Sequence, residues 1–347
     1  MICGDLWNLG DLALLLQNLE IARSLGRRAF VRRWGALPRE IEAQVEEAGG
    51  TFVDGRNPAK LLTAARGSDI VIGGGQLVRA NVSPKSLALL LAAVLAARSS
   101  GGRVTTRGLG VSPIGRGLPL LLWRSVLTLA DDVRVRDEAS FRNARQIAPR
   151  AKVLLTADMA FYPSRLHEHA GSSLRPASTI LIAPCIDPSE GRSLDGAVFL
   201  ALVELAQARF PKAELVFACH DARPGMDGEA ADTLIRRHGL RARKSAPHDL
   251  KAFLQDYKSA ELVITNRLHS VVFALLSGRP VLAVNDGSPK IDAVARAFSV
   301  STVPLEAAAE AEGAIERALG FDRAARHAAL ETAAAGARRN IEDGTLA

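Results

Sequence analysis

Cysteine is scarce in this chain of 347 residues: three occur, Cys3, Cys185 and Cys219, and none sits in a CxxC pair. Three thiols cannot build a disulfide framework or a four-cysteine zinc site, and their scarcity fits a reducing compartment. Aromatic residues are also few, with 11 Phe, 3 Trp and 2 Tyr. With so few rings for base stacking, and with the basic residues dispersed among apolar helices, nucleic acid is not the expected partner. The longest apolar run, Leu87 to Ala97, falls short of the about 20 residues that a bilayer span needs. The amino terminus, MICGDLWNLGD, carries acids at Asp5 and Asp11 and does not read as a signal peptide. No GxSxG elbow or P-loop occurs, which argues against an α/β-hydrolase or a Walker NTPase. No set of His, Cys, Asp and Glu has metal-ligand spacing, so no required transition metal is expected.

What is present is the composition of an ordinary globular protein, 48% hydrophobic and 23% charged, in a length that suggests two domains. The formal charge of +7 is unevenly spread. Residues 1–170 hold 23 Lys+Arg against 15 Asp+Glu, whereas the remainder holds 21 against 22. A basic half suits an anionic partner such as a membrane surface or an anionic lipid carrier; it is equally the basic surface of a soluble domain.

Short β-branched or apolar runs alternate with amphipathic stretches over the whole length. Ala29–Arg33, Thr51–Val53, Asp69–Ile72, Arg103–Leu109, Val133–Val135 and Lys152–Leu155 read as strands, and so do Thr179–Ala183, Glu214–Ala218, Glu261–Thr265 and Pro280–Val284. Helices are expected between them, among others at about 11–25, 84–98, 117–129, 138–147, 227–238, 266–277 and 289–298. The Ala-rich stretch Glu306 to Ile341 is helical by propensity and is expected to pack outside or cross back to the first domain. Uniformly apolar strands with helices between them argue for parallel sheets covered on both faces. Tyr162–Ala177, with Pro163, Pro176, Gly171 and a Ser pair, breaks the rhythm and reads as a linker. The fold class is therefore α/β, with two Rossmann-like domains, 1–165 and 176–347, facing a cleft.

Several strand ends carry residues suited to chemistry. Asn8-Leu9-Gly10-Asp11 precedes an apolar helix; Asp11 is a plausible cap, and the helix amides could meet an anion or a sugar hydroxyl. Gly73-Gly74-Gly75-Gln76 follows a strand and lets a ligand approach the backbone, although a tight turn alone explains it equally. Arg136 closes strand Val133–Val135, and Asp137 or Ser140 opens the next helix. A strand-end arginine can grip a carboxylate or phosphate through two parallel hydrogen bonds, or pair locally with Asp137 or Glu138. The strongest segment is Thr265-Asn266-Arg267-Leu268-His269-Ser270. With Thr265 or Asn266 as N-cap, Arg267 and His269 lie in a first helical turn, where unsatisfied amides and the positive end of the dipole make an anion pocket with a proton-transfer group at its edge. Lys290 follows the next strand. His220-Asp221 and His248-Asp249 also stand at strand ends or helix starts, where they read equally as caps.

In order, the segments NLGDLAL, IGGGQL, GLGVSPIGR, VRVRDEAS, LTADMAF and VITNRLHSVVFALLSGRPVLAV, then Lys290, resemble the polysaccharide pyruvyl transferase family from about residue 4 to about residue 300. RLHS followed by FALLSGRPV is the specific part. The resemblance implies a two-domain fold like that of GT-B glycosyltransferases. It also implies transfer of the enolpyruvyl unit of phosphoenolpyruvate to a sugar of an exopolysaccharide or cell-surface polysaccharide precursor, with a pyruvate ketal as product. It implies that Arg136, Arg267, Leu268, His269 and Lys290 hold phosphoenolpyruvate, with His269 as the acid/base. Asn8, Asp11, Gly74, Gly75 and Gln76 then belong to the acceptor side of the cleft. The chain departs from the family pattern at its start, where only Met1 to Cys3 precede the GDLWNLGD turn: either this start is late or the first strand is truncated.

The residue chemistry agrees with that activity. Phosphoenolpyruvate carries a carboxylate and a phosphate, for which two arginines and a helix N-terminus are suitable partners. The expected partners are this donor, serving as substrate rather than cofactor, and an oligosaccharide or lipid-linked saccharide acceptor. The expected location is the cytoplasm, with peripheral contact at the inner face of the membrane through the helices at 86–97 and 117–129 and their flanking Lys85, Arg98, Arg116 and Arg124. Burial of these two helices in a core is the competing expectation. Two rival functions are a GT-B nucleotide-sugar glycosyltransferase and a non-catalytic carbohydrate-binding relative.

Overall fold

The computed structural model of the chain describes residues 4–164, 177–185, 196–221, 223, 225–245, 248–285, 287–305 and 307–341. Most of the expected linker, residues 165–176, lies outside these. The chain divides into two compact units. One comprises Met1–Leu6, Asp11–Pro163 and Ala333–Ala347; the other comprises Trp7–Gly10 and Ser164–Thr332. The division thus differs from 1–165 and 176–347 in two segments, and local hydrogen bonds account for both. Leu9 N–H donates to the His220 carbonyl at 3.0 Å, which ties the NLG turn to the second unit. Near the C-terminus, Asn340 Oδ1 accepts from Gly108 N–H and Thr156 Oγ1, both at 2.8 Å, within the first unit.

Helix α1 (Leu9–Ser24) leads into the first unit. There follow β1 (Ala29–Arg33), α2 (Arg39–Glu47), β2 (Gly50–Asp54), α3 (Pro58–Ala65), β3 (Ile70–Gly73), α4 (Pro84–Ser99), β4 (Val104–Arg107), α5 (Leu118–Leu129), β5 (Val133–Val135), α6 (Glu138–Ile147) and β6 (Val153–Leu155). Local chemistry sets these bounds. Asn57 caps α3 through Lys60 N–H, with Pro58 in the first turn, and Asp137 caps α6 through Ser140 N–H at 2.7 Å. Asp11, by contrast, is not the cap of α1. The helix starts two residues earlier, and Asn8 Oδ1 accepts from Gly10 N–H at 2.9 Å. Strand β4 stops short of Leu109 because Gly108 turns with φ +57°, and a side chain there would meet the Ala157 carbonyl at 2.9 Å.

Strands β1 and β2 pair in parallel, as do β3 with β4 and β5 with β6. The bridges Thr105↔Asp132 and Leu109↔Val135 join β4 to β5. The first-unit core draws on Ile72, Leu90, Val94, Val104, Val126 and Val135. Helices α4 and α5 are thus mainly core elements, burying Leu87, Leu90, Val94, Trp123, Val126 and Leu127. They nevertheless leave Leu95, Leu118 and Leu121 exposed. No helix among the described residues is long and apolar enough to cross a membrane.

The second unit holds β7 (Thr179–Ala183), α7 (Gly196–Arg209), β8 (Glu214–Phe217), α8 (Asp227–His238), β9 (Ala242–Lys244), α9 (Leu250–Lys258), β10 (Ala260–Thr265), α10 (Leu268–Leu276), β11 (Val281–Asn285), α11 (Pro289–Ala297), β12 (Ser301–Pro304) and α12 (Ala311–Leu319). The Ala-rich stretch breaks at Gly320–Asp322, where Asp322 Oδ1 accepts from Ala324 and Ala325 N–H, and a last helix, α13 (Arg323–Arg338), begins. Its final residues belong to the first unit. The sheet is entirely parallel, in the order β12-β11-β10-β7-β8-β9. Numbered within the unit, that order is 6-5-4-1-2-3, the doubly wound arrangement whose switch point lies between β7 and β10. Of its central strands, β7 is buried throughout and β10 is buried except at Glu261, as their largely apolar sequences require.

Candidate functional site

In a doubly wound sheet, ligands bind beyond the carboxyl ends of the strands where the order reverses. In the second unit that place is the turn after Thr265. Thr265 Oγ1 donates to the Ala183 carbonyl at 2.7 Å and accepts from Arg267 N–H at 2.9 Å. The Asn266 side chain accepts from Cys185 N–H at 2.6 Å and donates to the Cys185 carbonyl at 3.1 Å. Both residues expected to cap α10 therefore clamp the end of β7 to the end of β10. The N-cap position falls to Arg267, and no side chain caps the helix.

Arg267 is 7% exposed and donates from Nη2 to both carboxylate oxygens of Asp227, each at 2.5 Å. Asp227 is fully buried in the first turn of α8, and its Oδ2 also accepts from Asp221 N–H at 3.0 Å. Burial opposes the Arg267 charge, but the Asp227 carboxylate more than offsets this and holds the pKa above its ordinary value. The buried Nε–H of Arg267 has no acceptor among the described residues.

His269, in the first turn of α10, is 8% exposed and stacks at 6.4 Å on Phe273. Its ring abuts Gly10, where any Cβ would overlap it. Asn8 forms an antiparallel bridge with Asp221, which fixes the NLG turn beside these residues. His220 is a different kind of histidine. It is fully buried, its Nε2 lies 2.8 Å from Tyr257 Oη, and Tyr257 donates to Ser270 Oγ at 2.8 Å. Burial first, then the charges of Arg267 and His269, push its pKa well below the usual value. It is a neutral core group rather than a cap. His248 precedes a true cap, since Asp249 Oδ1 accepts from Ala252 N–H at 3.0 Å. Lys290 stands half-buried at the start of α11, beyond β11, the neighbour of β10. Asp286, in the same segment, lies outside the described residues.

The first unit assembles its own polar cluster. Gly74 and Gly75 adopt φ of +72° and +67°, and a Cβ on Gly75 would lie 2.5 Å from Asp11 Oδ1. Gln76 Oε1 accepts from Arg136 Nη2 at 2.8 Å, and Gln76 Nε2 donates to Ser112 Oγ at 2.8 Å. Arg136 also donates from Nη1 to Asp158 at 3.1 Å and from Nε to Asp137 at 3.3 Å. The guanidinium is thus engaged on all three nitrogens, and the local ion pair is formed. Asp11 accepts from Asp5 N–H at 3.0 Å. Burial foremost, set against that hydrogen bond and the charges of Arg79 and Arg136, raises its pKa to about 6.

Sequence reasoning placed Arg136, Arg267, His269 and the GGGQ turn at strand ends, and the structure finds them there. It missed Asp227, because an aspartate opening a helix reads as a cap. It also missed Tyr257 and gave no role to Asp158 or Ser270, because their partners come from other elements.

The model of the polysaccharide pyruvyl transferase family matches residues 8–288. No curated protein matches the chain. Among solved structures, the chain is similar to the UDP-GlcNAc 2-epimerase of Neisseria meningitidis, with 14% identity, 95% of this chain and 96% of that chain covered, and a TM-score of 0.61. It is similar to the UDP-GlcNAc 2-epimerase of Methanocaldococcus jannaschii, at 12% identity, 94% and 95% coverage and a TM-score of 0.60. A glycosyltransferase of Rickettsia africae gives 14% identity, 94% and 92% coverage and a TM-score of 0.57. At these identities the likeness speaks for the fold, which is GT-B-like with Rossmann-like units.

Proposed function

Since the chain belongs to the polysaccharide pyruvyl transferase family, we propose that it moves the pyruvyl unit of phosphoenolpyruvate onto a sugar of an exopolysaccharide or cell-surface polysaccharide precursor and closes a pyruvate ketal there. The observation that carries this reading is the buried Asn266–His269 turn at the switch point of the second sheet. There α10 has no side-chain cap and the buried Arg267 Nε–H lacks an acceptor among the described residues. A carboxylate and a phosphate suit those donors, and the amides at the Leu268–His269 helix start add to them. Lys290 supplies a further cation from the end of the adjoining strand.

In this reaction His269 delivers a proton to the methylene carbon, and the carbon bearing phosphate gains positive character. A sugar hydroxyl adds to that carbon, phosphate departs with the electrons of its C–O bond, and a second hydroxyl closes the ketal. General acid–base help of this kind is worth roughly 10²–10⁴ in rate. Arg267 stabilises the charge on the leaving phosphate. No cofactor enters.

Arg136 is the candidate donor ligand of the first unit. Its three nitrogens already have partners, so a phosphate takes the place of one of them, and Gln76 is the least costly to displace because it is neutral. The acceptor candidates fall in both units: Asn8 in the second; Asp11, Gly74, Gly75 and Gln76 in the first. Asp11, with its raised pKa, suits proton removal from a sugar hydroxyl. Exposed Leu118 and Leu121 on α5, near exposed Arg116 and Arg124, support peripheral contact with an anionic bilayer that carries a lipid-linked acceptor. Salt-sensitive flotation with anionic but not neutral liposomes tests that contact.

The test of the function is incubation with phosphoenolpyruvate and a panel of free and lipid-linked oligosaccharides, read by phosphate release and a gain of pyruvyl mass. The proposal expects both signals together. Binding of a nucleoside diphosphate with no binding of phosphoenolpyruvate favours a nucleotide-sugar glycosyltransferase. Sugar binding without turnover on any acceptor favours a non-catalytic relative.

A further inference from the structure

Strand β1 ends on Arg32 and Arg33, and the residue after it, Trp34, is 44% exposed. A single exposed apolar side chain is ordinary; the way this one is held is not. The two-residue strand period, continued one step past β1, carries Trp34 to the face of Arg32. The Arg32 guanidinium carbon lies 3.8 Å from the centre of the indole ring. Arg32 is itself buried, at 7% exposed. A Cβ on Gly55 would lie 2.8 Å from Arg32 Cγ, so the arginine stem rests on bare backbone. One face of the indole is therefore backed by a fixed cation, and its exposed area lies on the rest of the ring.

Arg32 also fixes where the ring stands. Its Nη2 donates to the Ser86 carbonyl at 3.4 Å, in the first turn of α4. Helix α4 follows the turn of Gly74, Gly75 and Gln76, so the ring shares the sheet edge that carries these acceptor candidates of the first unit. Ligands of parallel α/β sheets bind at the carboxyl ends of the strands. The same edge is polar and carries both signs. Arg33 pairs with Glu42, and Arg56 pairs with Asp54, which lies opposite Arg33 in the β1–β2 register. Paired charges leave little net field to draw an anionic bilayer, but they offer carboxylate acceptors and guanidinium donors to hydroxyl groups. A pyranose has the matching surfaces. Its C–H bonds are apolar and slightly positive and suit the negative face of an indole, while its hydroxyls reach outward to polar neighbours.

We infer that Trp34 is a saccharide platform: a pyranose unit of the acceptor, a neighbour of the one that reacts, stacks on the open face of its ring. The inference rests on the proposed transfer to a sugar and narrows the acceptor class. A platform beside the glycine turn serves an oligosaccharide of several units, and a free monosaccharide cannot use it while it reacts.

The probes are hexasaccharides of glucose, mannose and galactose, beside the three monosaccharides, titrated into the full chain labelled with nitrogen-15 at its tryptophans. Trp7, Trp34 and Trp123 each give an indole N–H signal, and Trp34→Phe identifies that of Trp34. The inference expects a hexasaccharide to shift the Trp34 signal and leave that of the buried Trp123 in place. The matching monosaccharide should need at least about tenfold more sugar for the same shift. In the transfer assay, Trp34→Ala should raise the KM for the hexasaccharide at least about tenfold more than that for the monosaccharide, and Trp34→Phe should recover most of the difference. If Trp34→Ala lowers the melting temperature, the Trp34 signal of the unmodified chain decides. If no sugar is pyruvylated while that signal responds, the platform stands and the transfer reading is at fault. A Trp34 signal that none of the hexasaccharides moves, or a KM that rises equally for both lengths, would overturn the inference. So would loss of flotation of Trp34→Ala with phosphatidylcholine–phosphatidylglycerol liposomes at an unchanged KM for every sugar, which would assign the ring to a bilayer.

Discussion

Gly10 has no room for a side chain because His269 stands where its Cβ would be; the nearest ring atom is Nδ1, and even Cβ of His269 would lie within 2.8 Å. The imidazole is therefore positioned against bare backbone. Gly10→Ala must push the ring aside or move the NLG turn. Transfer is expected to fall by about 10² or more, with phosphoenolpyruvate binding far less affected. Calorimetric titration beside steady-state turnover checks this; an alanine variant with near-normal turnover removes Gly10 from the positioning of His269.

The Asp227–Arg267 pair makes a stability prediction. Asp227→Asn leaves the Arg267 charge buried without a counter-charge, and such losses cost about 3–5 kcal/mol. Urea denaturation should show a marked drop, and Arg267→Met on the same background should recover part of it. A small change for Asp227→Asn alone would contradict the buried ion pair.

Asp11 predicts a pH dependence. Its folded pKa of about 6 lies above the ordinary 3.8, so the native state holds the proton more tightly than the unfolded state. Its contribution to stability is therefore full below pH about 4, is lost as pH rises toward about 6 and stays lost above that. Asp11→Asn, which keeps an acceptor for Asp5 N–H, should be more stable than the parent at pH 7 by up to about 3 kcal/mol. The advantage should vanish near pH 4. Melting curves across that range check the sign; an advantage confined to low pH would reverse it.

Asn340 predicts how the C-terminal segment is held. Its side chain accepts from Gly108 N–H and Thr156 Oγ1 and donates to the Ala157 carbonyl at 3.0 Å. Asn340→Ala takes the acceptor from the buried Gly108 N–H, at about 1–3 kcal/mol, whereas Thr156 Oγ1 keeps the Val135 carbonyl at 3.0 Å. Hydrogen exchange at Gly108 should accelerate with it; unchanged protection would place the anchor elsewhere.

Strands such as Thr179–Ala183 and Ala260–Thr265 were legible in the sequence because a strand buried on both faces must be mainly apolar, as both are apart from Glu261 and the threonines at their ends. Strands β9 (Ala242–Lys244) and β12 (Ser301–Pro304) were not, since they lie at the sheet edges and keep polar, partly exposed side chains. The strand-end positions of Arg136, Arg267 and His269 followed from βα alternation alone. The true role of Thr265 and Asn266 could not, because they bind Ala183 and Cys185, some 80 residues away in the chain. Capping rules weigh only the near neighbours. The same holds for Gly10, whose reason for being glycine is a ring more than 250 residues downstream.

The most direct test of the central claim compares the parent chain with His269→Ala in a single assay of phosphate release from phosphoenolpyruvate plus acceptor, with the product weighed by mass spectrometry. The account predicts coupled phosphate release and pyruvyl gain in the parent, and a loss of at least about two orders of magnitude in a variant that remains folded. Equal turnover in both chains, or transfer that depends on a nucleotide sugar and ignores phosphoenolpyruvate, would contradict it.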